Sequence, residues 1–213
     1  KADNMIYITK SYDDDYTYEA NLKTVSNEGF QSSRTNNFAI QKYESYYKID
    51  ENRTTGNYMH YKRECNHGAV TVRILDIEGR VPLFILFRAL GVESDKMICN
   101  YILNEDPDNL SETGALLFQT LRSSVISGSP IYTQDEALKY IGTNSRKSKV
   151  RRFIIDAISI LDNNFLPNYG TNNHHKALYL GYIVNSLLKA SIGLVQVTDR
   201  DHYKNKRIDL SGF

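Results

Sequence analysis

The stretch AVTVRILDIEGRVPLFILFRALG, residues 69 to 91, changes its hydrophobic period part-way along and thereby decides the fold class. In its first half, Val70, Val72 and Ile74 alternate with polar or charged residues, which is typical of a strand with one buried face. From Pro82 onward the residues are almost all apolar. Pro82 suits the first position of a helix, and Gly91 suits its end. The stretch therefore predicts a strand followed directly by a helix.

The residues before this change of period predict an antiparallel sheet. Residues 5 to 9 are a short apolar run, and residues 16 to 23 alternate between apolar and polar side chains. Residues 38 to 49 and 58 to 62 are predicted as further strands of the same sheet, since the turn-forming residues 53 to 57 separate them. The N-terminal third is therefore expected to be a sheet.

The residues after the change predict helices. Ser94 suits a helix N-cap, and Thr133 with Glu136 has the spacing of a capping box. Two long amphipathic helices follow, with predicted core stripes at Val150, Phe153, Ile154, Ala157, Ile158 and Leu161, and at Ala177, Leu180, Gly181, Val184, Leu187, Leu188 and Ser191. The predicted class is α+β, with an antiparallel sheet from the N-terminal third packed against a helical C-terminal two-thirds.

Composition excludes several classes of protein. The chain has 213 residues, of which 41% are hydrophobic and 24% charged, as in an ordinary globular domain. Its net charge is only +1, so any nucleic-acid contact must come from a local patch. No apolar run reaches the roughly 18 residues that a membrane span needs. Phosphate-binding loops and Gly-x-Ser-x-Gly elbows are also missing, so the chain is not expected to be an enzyme by itself.

Metal binding is not predicted either. A structural zinc site needs about four ligands, whereas Cys65 and His67, with His60 nearby, form one loose group, and Cys99 stands apart. The three aspartates at positions 13 to 15 would need a shaped loop to converge on an ion, and they are interpreted as a solvated loop. Both cysteines are expected to be free thiols.

Two charged clusters stand out in the sequence, and the first is a candidate nucleic-acid-binding site. The first consists of Arg146, Lys147, Lys149, Arg151 and Arg152, at the entry to the first long helix. Because the core stripe takes Val150 and Phe153, these cations should lie on the solvent side, either to neutralise phosphates or as an ordinary solvated face. The second lies in residues 199 to 207 and includes Arg200, Asp201, Lys206 and Arg207; with no apolar period, it is by itself typical of a polar loop.

Three strings resemble the second-largest subunit of eukaryotic and archaeal DNA-directed RNA polymerases, a family that also has members in large DNA viruses. Residues 81 to 91, VPLFILFRALG, resemble its "IPI…FRALG" helix. Residues 199 to 212, DRDHYKNKRIDLSG, resemble its "DRDHxxNKRLDLAG" signature. Residues 176 to 185, KALYLGYIVN, resemble the long helix between the two, and all three strings occur in the family's order.

The resemblance implies that the chain is an internal piece of that subunit, the lobe region, beside the DNA cleft. Residues 11 to 198 would form the lobe, and residues 1 to 10 and 199 to 213 would be junctions to the neighbouring protrusion domain. It implies no catalytic residue and no cofactor in this chain, because the magnesium-binding aspartates of the intact polymerase belong to the largest subunit. The implied location is intracellular, in the nucleus, or in the virion or host cytoplasm for a viral polymerase.

The implied partners are the largest subunit, a small zinc-ribbon subunit, initiation factors and DNA. A related bacterial segment, "DIDHLGNRR", approaches the non-template strand, and Asp201 and Lys206 would take its two contacting positions. Lys206 stands where the bacterial segment has arginine, which weakens a bidentate base contact. Arg200 and Arg207 would pair with phosphates or other subunits. From the residues alone, the alternative is a stand-alone nucleic-acid- or protein-binding module that uses the first cluster.

Overall fold

The computed structural model describes residues 4–24, 34–50, 58–65, 68–146 and 152–197, with backbone only for 43–50 and 58–65. Within these residues, strands come first and helices follow. The strands are β1 Asn4–Lys10, β2 Tyr16–Thr24, β3 Arg34–Gln41, β4 Tyr43–Asp50, β5 Tyr58–Cys65, β6 Val70–Arg73 and β7 Val81–Pro82. The helices are α1 Leu83–Ala89, α2 Asp95–Leu103, α3 Glu112–Ser127, α4 Gln134–Thr143, α5 Phe153–Asn163 and α6 Asn173–Ser191, with a 3-10 helix at Pro167–Tyr169. The predicted α+β class is confirmed.

Five of the described strands form an antiparallel sheet in the order β1-β2-β3-β6-β7, and within the same residues β4 and β5 pair only with each other. The prediction of a single sheet was therefore wrong for residues 43 to 49 and 58 to 62. The chain leaves the sheet after Gln41, since β3 pairs next with β6, at Ile40 opposite Val70. Gly68 permits this crossing, because a Cβ atom there would lie 1.8 Å from the Gln41 carbonyl oxygen.

The core lies between one face of the sheet and the helices. Ala20, Leu22, Phe38, Val70 and Val72 are buried on that face. All seven residues of α1 are buried, which makes α1 the central helix of the packing. None of the helices in the described ranges is both long enough and apolar enough to cross a membrane.

The junction between β7 and α1 differs slightly from the prediction. Pro82 is the N-cap residue rather than the first helical residue, since it still pairs with Thr71 in the sheet and has an extended ψ of 140°. Gly91 follows the C-cap residue Leu90 and has a φ of +94°, a backbone conformation that favours glycine. The predicted end of the helix is confirmed.

The buried face of α5 is rotated from the predicted stripe. Ala157, Ile160 and Leu161 are buried, whereas Phe153 is 36% exposed and Ile158 is 45% exposed. The prediction was wrong for these last two residues, and Val150 lies outside the described residues. The cause is the packing of α5 on α4. A Cβ atom at Gly142 would lie 2.0 Å from the Phe153 carbonyl oxygen, so the two backbones are in contact there.

The predicted stripe of α6 is confirmed at its apolar positions, since Ala177, Leu180, Val184, Leu187 and Leu188 are all buried. Gly181 lies where α6 crosses α2. A Cβ atom at Gly181 would lie 2.3 Å from the Tyr101 carbonyl oxygen. The glycine therefore permits close contact between the two helices.

Candidate nucleic-acid interface

The first charged cluster begins where α4 ends, and a turn after β6 fixes that point. The backbone amide of Arg146 donates to the Asp76 carbonyl oxygen at 3.0 Å. The amide of Glu78 donates to the carbonyl of Asn144, the C-cap residue of α4, at 2.8 Å. Asp76 has a left-handed φ of +69°, which turns the chain at this contact. These hydrogen bonds therefore hold the start of the cluster against the turn that follows β6.

A buried pair of asparagines joins the same turn to β3 and to the end of α5. The Asn164 side-chain amide donates to the Leu75 carbonyl at 3.2 Å and to Asp76 Oδ2 at 2.9 Å. The Asn36 side-chain amide donates to the Asn164 carbonyl at 3.2 Å. Sequence reasoning missed both asparagines, because a lone polar residue leaves no periodic signal. They set the position of α5 relative to the turn.

Arg146 and Arg152 are the members of the first cluster that the structure describes, and both are exposed. Arg152 is the N-cap residue of α5, and its carbonyl accepts the Asp156 amide at 3.0 Å. The two guanidinium groups thus belong to the two anchored ends of one connection. The remaining predicted residues lie outside the described part of the chain: Lys147, Lys149, Arg151, Arg200, Asp201, Lys206 and Arg207. Nucleic-acid binding by the whole set stays a prediction.

A cavity of about 270 Å³ lies beside this connection. Its lining includes Arg34, Asp76, Asp156, Ser159 and Asn163. One guanidinium and two carboxylates share the space, so the cavity is a poor site for a phosphate group. A phosphate contact would therefore be made at the exposed arginines rather than inside the cavity.

The outer face of the sheet carries a polar network centred on Arg80. Arg80 Nε donates to Thr71 Oγ1 at 2.8 Å, and Nη2 donates to Asn37 Oδ1 at 2.7 Å. The Tyr16 ring lies 4.7 Å from the guanidinium carbon. Burial lowers the pKa of Arg80. Because its donors are used within the sheet, Arg80 ties β2, β3 and β6 together.

The aspartates before β2 and Cys99 show no metal-binding arrangement in the part of the chain that the structure describes. Among those residues no three His, Cys, Asp or Glu side chains are grouped to hold an ion. Cys99 is buried on α2, where burial and then the charge of Asp95 raise the pKa of its thiol to about 11. The side chains of His60, Cys65 and His67 lie outside the described set.

Comparison with known proteins decides the family. A family model described as RNA polymerase Rpb2, domain 2, matches residues 3–209, which is nearly the whole chain. This chain belongs to the RNA polymerase Rpb2 domain 2 family. The predicted resemblance to the second-largest polymerase subunit is thereby confirmed.

Relatives of this Rpb2 domain are found in eukaryotes and archaea. The chain is 38% identical over 150 residues to DNA-directed RNA polymerase II subunit RPB2 of Encephalitozoon cuniculi, covering 68% of this chain and 12% of that protein. It is 37% identical over 141 residues to DNA-directed RNA polymerase II subunit 2 of Arabidopsis thaliana, covering 64% and 11%. It is 34% identical over 149 residues to subunit Rpo2 of Saccharolobus shibatae, covering 68% and 12%. The chain thus spans about one eighth of the length of these relatives.

The first family-like string contains a buried cation with a structural role. Arg88 on α1 is only 1% exposed, and its guanidinium donates to the Gly128 carbonyl at 3.0 Å. It also donates to the Ile131 carbonyl and to Asp95, and it lies 5.1 Å from the Tyr132 ring centre. Arg88 therefore holds the loop between α3 and α4 against α1 and α2. The string as a sequence did not reveal this burial.

A second buried cation lies in the α6 string. Lys176 is fully buried, and its Nζ donates to the Leu161 carbonyl at 2.7 Å and lies 3.4 Å from Asp162 Oδ1. Burial lowers the pKa of this lysine, and the Asp162 charge partly opposes that change. Lys176 therefore ties the last turn of α5 to α6. In this Rpb2 domain, each of the two family-like strings thus contains a buried cation that joins neighbouring helices.

Proposed function

We propose that this chain is the non-catalytic lobe domain of the second-largest subunit of a DNA-directed RNA polymerase. It lines the DNA cleft and docks other subunits or initiation factors. The family match across residues 3–209 is the observation that carries the proposal. Residues 11 to 198 form the lobe, and residues 1 to 10 and 199 to 213 join it to the protrusion. Magnesium and the residues of nucleotidyl transfer belong to other parts of the polymerase.

The cleft role is supported by the exposed arginines at the ends of the α4–α5 connection. Arg146 and Arg152 can each neutralise a DNA phosphate, and Lys147, Lys149 and Arg151 lie between them in the sequence. Because the net charge is only +1, attraction to DNA must come from local patches such as this one. Arg200, Asp201, Lys206 and Arg207 provide the second contact, near the non-template strand.

The docking role concerns the largest subunit, a small zinc-ribbon subunit and initiation factors. The protein then acts inside the cell, in the nucleus, or in the virion or host cytoplasm if the polymerase is viral. Its relatives carry the names of RNA polymerase subunits, which supports assembly with further subunits.

Immunopurification of the native protein tests the proposal as a whole. An antibody to this chain should bring down a polypeptide several times larger than 24.5 kDa together with DNA-dependent RNA synthesis. A native product near 24.5 kDa without that activity would contradict the proposal. The chain would then be a stand-alone nucleic-acid- or protein-binding module.

Site-specific cross-linking tests the cleft role. A photoreactive amino acid at position 146 in the assembled polymerase should cross-link to DNA in a transcription complex. The same group at position 126, where Ile126 is 67% exposed on α3, is the matched control. Equal DNA cross-linking at both positions, or none at position 146, would remove Arg146 from the DNA path.

A further inference from the structure

An apolar pair lies exposed on α5, on a face that the core does not use. Ile155 is 63% exposed and Ile158 is 45% exposed. The two residues are three positions apart and so are neighbours on the helix surface. Single exposed apolar side chains are common on protein surfaces, but adjacent ones on one helix form a contact surface. The pair is the apolar part of what we call the α5 face, made of Arg152, Ile155 and Ile158.

The chain that leads into the α5 face is rich in cations. Arg152 lies three positions before Ile155, and Arg146 is exposed at the other end of the α4–α5 connection. Residues 146 to 152 contain five cations and no acid in the sequence. This concentration contrasts with a net charge of only +1 for the whole chain. Of these cations, Arg146 and Arg152 are exposed in the described part of the chain, and they offer positive charge to a ligand of the α5 face.

Both carboxylates of α5 are half-buried. Asp162 lies 3.4 Å from the buried ammonium group of Lys176. Asp156 lines the cavity whose lining also includes Arg34 and Asp76. The exposed α5 face keeps its positive charge at one end and its apolar pair in the middle.

The combination of charge and apolar surface selects the class of ligand. A DNA backbone would contact the arginines but would gain nothing from two isoleucines, since phosphates and sugars stay hydrated. An acidic amphipathic protein segment can use both, because its carboxylates pair with the arginines and its apolar side chains cover the isoleucines. The chemistry of the α5 face therefore matches a protein ligand better than DNA.

We propose that the α5 face docks an acidic amphipathic segment of another protein. The inference rests on the proposed docking role of this domain and gives that role a surface and a partner chemistry. The charged residues guide the encounter and make it sensitive to salt. Burial of the two isoleucines supplies the part of the affinity that salt does not affect.

Fluorescence anisotropy with the full 213-residue chain tests the proposal. The probe is a labelled peptide rich in aspartate and glutamate, with leucines at helical spacing. The double variant Ile155→Asn, Ile158→Asn should weaken binding at least about tenfold, the equivalent of ~1.4 kcal/mol. Ile126→Asn on α3 removes an equally exposed isoleucine and should bind the probe like the parent chain. All chains are compared by thermal unfolding to show that they are folded.

A conservative variant and two further probes make the test decisive. Ile155→Val, Ile158→Val keeps the face apolar and should retain peptide binding. A polyglutamate peptide should bind more weakly than the amphipathic probe. Equal binding of the two peptides, unchanged affinity in the asparagine variant, or no peptide binding at all would overturn the docking proposal.

A duplex DNA probe separates this inference from the cleft role. The asparagine variant should bind DNA as the parent chain does, because isoleucines make no phosphate contacts. Loss of DNA binding together with peptide binding would mean that the α5 face belongs to the DNA surface, and the docking proposal would fail. Peptide binding that persists in a chain with no affinity for DNA would leave the docking proposal standing while the cleft role fails.

Discussion

At the scale of single residues, burial of the Cys99 thiol should make the free energy of unfolding depend on pH. Its pKa in the folded chain is raised to about 11, mainly by burial and secondly by the charge of Asp95. The unfolded chain ionises this thiol first, at about pH 8.5. The stabilisation is therefore complete below that pH and is lost as the pH rises toward 11.

Replacing the Cys99 thiol should reduce the change of the free energy of unfolding with pH at alkaline pH. Between about pH 8 and 11 the parent chain should lose up to roughly 2 to 3 kcal/mol relative to Cys99→Ala. Urea unfolding at several pH values measures the difference, and other titrating groups cancel because both chains contain them. Parallel profiles would contradict the raised pKa.

Packing should decide whether Gly181→Ala raises or lowers the free energy of unfolding. Helix propensity alone would make Gly181→Ala stabilising by about 1 kcal/mol. The alanine Cβ would lie 2.3 Å from the Tyr101 carbonyl oxygen, which belongs to the backbone of α2. We expect a destabilisation of about 1 to 3 kcal/mol, because the two helices must move apart.

Gly114→Ala on α3 is the matched control for this change. Its Cβ would meet the end of the Glu105 side chain at 2.3 Å, and a side chain can move more easily than a backbone. Chemical unfolding of both variants should therefore rank Gly181→Ala as the more damaging. A stabilised Gly181→Ala chain would show that α2 and α6 are not in close contact.

At the scale of elements, Arg88 connects α1 and α2 with the loop that follows α3. Arg88→Met would remove the donor of the Ile131 carbonyl and the cation beside Asp95, and it would leave the Gly128 carbonyl with the Ile131 amide alone. We expect a loss of about 2 to 4 kcal/mol, since hydrogen bonds to a charged group are lost and a carbonyl left unpaired carries a desolvation cost. Thermal or urea unfolding measures it.

Substitution of the two partners of this ion pair should not destabilise the fold equally. Asp95 is 45% exposed, so water can replace its partner, whereas Arg88 is buried. Asp95→Asn should therefore cost less than Arg88→Met, because an amide oxygen at position 95 can still accept from the guanidinium and Arg88 keeps its contacts with the two carbonyls. Equal losses in Arg88→Met and Asp95→Asn would mean that the ion pair, rather than the carbonyl contacts, holds the loop.

At the scale of the whole molecule, DNA binding should depend on local charge. The double variant Arg146→Gln, Arg152→Gln should reduce the slope of log affinity against log salt by about 0.9 for each phosphate that the chain no longer neutralises. Arg122→Gln removes an exposed cation from α3 and should leave the slope unchanged. Anisotropy titrations of duplex DNA at several salt concentrations measure all three chains. Equal slopes in the double variant and the parent chain would exclude phosphate binding by Arg146 and Arg152.

The amino-acid sequence by itself determined the α+β class, the α1 and α6 strings, and several local features. The capping box of Thr133 and Glu136 and the place of Gly181 on the buried stripe of α6 were both predicted correctly. These features depend on residues close together in the chain, so the period and the spacing of residue types carry them. The family-like strings could be recognised for the same reason, because each is a continuous stretch of sequence.

Only the tertiary structure decided the features that join distant residues. It separated β4 and β5 from the main sheet, rotated the buried face of α5, and buried Arg88 and Lys176. The hydrogen bond between Asn36 and Asn164 shows the reason, since it joins residues 128 positions apart. A local pattern tells whether a residue can face a core, but the elements packed against it determine which face is covered. The exposure of Ile155 and Ile158 on α5 follows from that packing.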